Sequence, residues 1–276
     1  MKSNMELPSA MRTAFAVCSA LAAILQTLAV LISYDPTANY FERGAILPTL
    51  AVCLAIAGIV CGTIAARMTN TETLNDSPFS KQIAIPYAAI GFLLTAIVLP
   101  LNASAERMTL TLVASVFSVL AALFHILSCI PSIREKHTSV ICFLGFAAII
   151  GCILSMAYFY FDVSVEMNAP LKVAVQMGLI TAMLGYVGEL RYLLGQPMPR
   201  TYLTVLSWSI SVGALSAIAV PIAMIAKKLP RVDYAVGGLL VLCIATTQIL
   251  RMRTLLSTPS TEDTATANDA DGKDLT

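Results

Sequence analysis

Charge is what this chain lacks. Only 12% of its 276 residues are Asp, Glu, Lys or Arg, about half the share of an ordinary soluble domain. The formal net charge is +1 and no basic run exceeds two residues, which excludes a nucleic-acid reader built on phosphate neutralisation. Catalytic signatures are missing as well. There is no HExxH for a metalloprotease, no GxxxxGK[ST] for a phosphate cradle and no GxSxG for a nucleophile elbow. Histidine is scarce: His125 and His137 both fall on one predicted side, so a haem carried between two helices is not expected. Seven cysteines lie within or beside apolar stretches with no CxxC pair, and they read as small packing residues rather than a disulfide framework or zinc site. No cofactor, no metal and no catalytic activity are expected on these grounds.

What the chain has instead is oil. Hydrophobic residues make up 58% of it, the mean hydropathy is +0.81, and uncharged apolar runs recur along its length. Runs of about 20 residues match a hydrocarbon core about 30 Å thick. Eight candidate segments follow: 13–34, 45–66, 83–103, 109–131, 140–161, 173–194, 201–226 and 234–254. The expected fold is therefore all-α, a polytopic membrane bundle of about eight helices arranged as four hairpins, occupying residues 1–256. The first run is too long for the core of a signal peptide and reads as a retained helix. Residues 257–276, polar, acidic and without aromatics, read as a disordered cytoplasmic tail.

Orientation follows from the basic flanks, which remain cytoplasmic. Eleven Lys and Arg fall on the side of the N-terminus and six on the other (Arg43, Arg107, Lys172, Lys227, Lys228 and Arg231), which puts both termini inside. The stretch "KKLPR" at 227–231 opposes that vote. Tyr34, Tyr40, Phe41 and "YFYF" at 158–161 would form an aromatic belt on the outer side. The reading implies a cell membrane, specifically a bacterial cytoplasmic one, with the lipid bilayer as the chain's first partner.

Gly58, Gly62 and Ala66 form a small-xxx-small stripe on the second segment, and Gly178, Gly185 and Gly188 a similar one on the sixth. Such stripes let helices approach closely where lipid provides no hydrophobic drive. The ends "ELRYLLGQP" (189–197) and "RMRTLLSTP" (251–259) align at an offset of 62 residues, hinting at a duplicated hairpin.

The sixth and eighth segments end in charge. On a helix Glu189 and Arg191 project about 200° apart, so they cannot pair with each other. Arg191 can snorkel to the headgroups. Glu189 follows only 16 uncharged residues, about 24 Å of helix, and sits near a C-terminus whose dipole disfavours a carboxylate. It needs a cation. Arg251 on the eighth segment is the expected partner, with Arg253 as the spare and Arg67 as the other candidate. Gln248 precedes Arg251 by three residues and shares its face; His125, in "ALFHILSCIP", ends the fourth segment at comparable depth. A lone histidine there reads more readily as a hydrogen-bonded packing residue than as a ligand.

These residues, Glu189, Arg251, Gln248, His125, Arg191 and Arg253, form the candidate polar cluster, either a substrate site or a set of structural pins. Two functions compete. One is transport of a small molecule or ion, supported by hairpin repetition and buried charge, though no broken helix is expected and midplane charge is absent. The alternative is a non-catalytic membrane subunit or scaffold that binds other membrane proteins through its small-residue stripes.

Overall fold

The computed structural model describes residues 3–75, 77–79, 86–163, 165–229 and 231–257. The predicted tail lies outside them, apart from Ser257, as do Lys2, Lys81 and Lys273. Among the described residues the chain is an all-α polytopic bundle. Its helices are α1 (Ser3–Ser33), α2 (Ile46–Met68), α3 (Tyr87–Asn102), α4 (Met108–Ser128), α5 (Pro131–Lys136), α6 (Thr138–Tyr160), α7 (Pro170–Leu193), α8 (Pro199–Ala217), α9 (Ala219–Ile225) and α10 (Val232–Leu256). The strands among the described residues are β1 (Tyr34–Asp35) and β2 (Tyr40–Phe41), which pair antiparallel as a short hairpin.

Among the described residues, seven helical stretches are long and apolar enough to cross a membrane. The third predicted segment falls short because α3 starts only after Pro86, leaving 16 residues, about 24 Å. Proline supplies no N–H and fixes φ, so it suits a helix start. Pro131, Pro170 and Pro199 open α5, α7 and α8 in the same way.

The seventh segment corrects the sequence reading, which expected no broken helix. It divides into α8 and α9 at Ile218. Pro221 is the cause: its nitrogen cannot donate to the carbonyl of Ala217, and its ring collides with that carbonyl in an ideal helix. Gly238 of α10 lies against the break. A Cβ there would stand 2.7 Å from Pro221 Cδ and 3.2 Å from the Ser216 carbonyl. The corresponding hairpin helix α6 is continuous, so the two hairpins of the proposed duplication differ in shape.

Helices α3, α4, α6, α7 and α10 pack in a closed ring, each against the next, around a core of Phe92, Phe124, Cys152, Tyr186 and Leu240. Outside the ring, α8 packs on α7 and α10, and the α1–α2 hairpin packs on α8. Burial follows that order: 67% of the apolar window of α10 is buried against 33% of that of α2, so α10 is central and α2 peripheral.

The predicted glycine stripes lie at helix contacts. Gly58 faces Ser19 and Ser211, whose hydroxyls bond each other at 2.9 Å, and Gly62 touches Ser207. On α7, Gly178 meets Val241, Gly185 meets Gln248 and Gly188 meets the Tyr202 ring.

The polarity of the molecule is inverted relative to a soluble protein. Ile56, Val60, Phe143 and Phe146 are exposed on helix faces, whereas Asp162, Lys172, Glu189, Asp233 and Arg251 are buried. Leaving such residues in water while burying charges would reverse the usual partition. Lipid as the surrounding solvent resolves it.

Candidate functional site

Buried charge collects at both ends of the bundle. The termini end holds the start of α1 and the C-termini of α2, α4, α7 and α10. The hairpin end carries β1 and β2.

At the termini end, α7 presents Glu189 and α10 presents Arg251, each 1% exposed. Arg251 Nε lies 3.8 Å from Glu189 Oε1, near enough for charge attraction but beyond hydrogen-bond length. Tyr202 of α8 donates its hydroxyl to the same oxygen at 3.3 Å. Arg251 is held from its other side: Nη1 reaches the Pro78 carbonyl at 3.4 Å, Nη2 reaches Ser128 Oγ at 3.3 Å, and the guanidinium lies 4.2 Å over the Phe79 ring. Arg251 therefore stays in place without closing on Glu189.

Phe79 belongs to the connection between α2 and α3. Asn75 pins this connection to α10 by donating its backbone N–H to Leu255 O at 3.1 Å and its amide to Thr254 O at 2.6 Å. Arg134, from α5, stands 5.5 Å over the same ring and donates to Phe79 O at 2.9 Å. The cluster is thus covered by an aromatic side chain from a loop that reads as polar.

His125 and Gln248 complete the group, both 1% exposed. His125 Nε2 is 3.2 Å from the Tyr186 hydroxyl and its ring stacks on Phe92 at 5.9 Å. Gln248 lies against Gly185, where a Cβ would come within 2.5 Å of the amide nitrogen. Glycine makes room for the amide.

The cluster is incomplete. Among the described residues, His125 Nδ1, Glu189 Oε2, Arg251 Nε and both amide atoms of Gln248 have no hydrogen-bond partner. A buried polar group without a partner costs about 1–3 kcal/mol, so five together call for an explanation. Arg191 and Arg253 do not join them. Arg191 bonds the Gln196 carbonyl at 3.3 Å at the surface, and Arg253 is exposed, one position past Met252 and on another face from Arg251. Arg67, the other candidate for Glu189, is exposed too.

The hairpin end holds a second cluster that the sequence reading missed. Asp162, at the end of α6, meets Arg107 at 3.3 Å and Arg231 at 3.4 Å and accepts from Tyr234 at 3.0 Å. Asp233, in the first turn of α10 where the dipole favours an acid, pairs with Arg231 and accepts the Tyr158 hydroxyl at 2.6 Å. Lys172 donates to the carbonyls of Asp162 at 2.7 Å and Val165 at 2.9 Å. Burial pulls the Arg231 guanidinium down, but Asp233, Tyr158 and Asp162 outweigh it and hold it above its ordinary value. Only Arg107 Nη1 is left without a partner here among the described residues. Lys228 is engaged as well, donating to Leu31 O and Tyr34 O at 3.0 Å each. Four of the six cations that opposed the orientation vote are therefore held by acids or carbonyls of the chain itself.

No family model, curated protein or solved structure matches this chain, so the reading of its sites rests on its own geometry.

Proposed function

We propose that this polytopic protein resides in a cell membrane with both termini in the cytosol and carries a small polar solute or ion, which binds among Glu189, Arg251, Gln248 and His125. One observation carries the reading: five buried polar atoms near the ends of α4, α7 and α10 have no hydrogen-bond partner among the described residues. Intramembrane ionisable groups mark substrate routes more often than they add stability.

Reconstituted proteoliposomes provide the test, with uptake measured for a panel of amino acids, organic acids, amines and inorganic ions. Glu189→Gln abolishes uptake of the active solute while the chain still folds and purifies, with a melting temperature only modestly lowered by the loss of Arg251's acid. Unaltered uptake with collapsed yield would contradict the reading and favour the subunit or scaffold alternative, which the largely exposed apolar face of α2 supports.

A further inference from the structure

The unpartnered atoms of the termini cluster also constrain the chemistry of what binds, given the transport reading on which this step rests. Glu189 and Arg251 carry opposite charges, so the pair is neutral overall. Arg134, the other guanidinium close by, bonds Phe79 O and Ser128 O and lies 3.9 Å from Glu135, whose side chain is exposed. A ligand bringing net charge to this buried, balanced place would lose its hydration without compensation. A neutral ligand without internal charge would leave the carboxylate and guanidinium unserved.

The unpartnered atoms fall into complementary halves. Glu189 Oε2 and Gln248 Oε1 accept; Arg251 Nε and Gln248 Nε2 donate. The 3.8 Å contact between Glu189 and Arg251 is too long for a hydrogen bond, so a molecule carrying both charges that displaces it gives each group a shorter one. Because Phe79, Ser128 and Pro78 hold Arg251 independently, its position does not depend on Glu189.

We propose that the site takes a small zwitterion bearing a primary ammonium and a carboxylate, as an α-amino acid does. The ammonium donates to Glu189 Oε2 and Gln248 Oε1, and the carboxylate accepts from Arg251 Nε and Gln248 Nε2. Gln248 is the residue that reads both ends, although it makes no hydrogen bond to the described protein.

Thermal unfolding of the purified full chain, titrated with each common amino acid and separately with acetate and methylammonium, tests this. At least one amino acid raises the melting temperature saturably; acetate and methylammonium alone do not. Gln248→Met, which removes no hydrogen bond to the described residues, folds like the native chain and weakens the half-saturating concentration at least about tenfold. The proposal is overturned if no amino acid shifts the melting temperature, or if Gln248→Met binds as the native chain does. Uptake by native proteoliposomes separates the two levels of the argument. If acetate or methylammonium is bound and carried while no amino acid is, the zwitterion assignment falls and transport stands; if nothing in the wider panel is carried, both fall.

Discussion

The two buried charge clusters contain similar chemistry and differ in completion. At the hairpin end, two carboxylates, two guanidiniums, an ammonium and two phenols are cross-linked by contacts of 2.6 to 3.4 Å from α4, α6, α7 and α10. At the termini end, one carboxylate and one guanidinium stand 3.8 Å apart beside an amide with no partner and a half-satisfied imidazole. A completed network rigidifies, whereas a partly completed one is costly unless something else finishes it. The comparison assigns the hairpin end to holding the helices together and the termini end to binding.

Mutations at the two ends sharpen that contrast. The largest loss is expected at Asp162→Ala, which takes from Arg107 its acid and from Arg231 one of its two; breaking such a pair costs about 3 kcal/mol, at the low end because both guanidiniums keep some solvent and Arg231 keeps Asp233, and denaturant unfolding in detergent reads it directly. Gly188→Ala comes next. The new methyl overlaps the Tyr202 ring, a strain of about 1–3 kcal/mol, and it moves the Tyr202 hydroxyl off Glu189, so uptake should fall with stability. Glu189→Gln leaves the buried Arg251 without its acid; the loose 3.8 Å contact and the bonds that Arg251 keeps to Pro78 and Ser128 hold the cost to about 2 kcal/mol, while uptake is lost. Gln248→Met should leave the ligand-free chain at least as stable as the native one by the same unfolding assay, because it removes a buried amide that has no partner among the described residues. If the order were inverted, with Glu189→Gln unfolding the protein and Asp162→Ala tolerated, the roles of the two ends would be exchanged.

Hydropathy alone made the all-α bundle legible, because an apolar run of membrane length has few other uses. The break in the seventh segment was legible too, in Pro221, but a run-length count passes over a proline inside an otherwise apolar stretch. Glu189 could be singled out because an acid at a helix C-terminus is doubly disfavoured, and α7 and α10 do lie side by side. The exclusion of Arg191 and Arg253 depends on helix rotation, which the spacing to Arg251 implies only once the buried face is known. Phe79 was out of reach, since a single phenylalanine in a polar loop gives no sign of which charge it covers. The hairpin cluster was missed for another reason. Arg107, Lys172 and Arg231 entered the orientation count as free positive charges; nothing in the spacing links Arg107 to Asp162, and although Asp233 lies two positions from Arg231, that proximity alone does not show that both are buried together.

The most direct test of the account is uptake of the active solute by proteoliposomes carrying Gln248→Met at matched protein content. The account predicts native stability with uptake reduced at least about tenfold. Native stability with undiminished uptake would contradict it, because the amide that the fold leaves unpartnered would then have no ligand to serve.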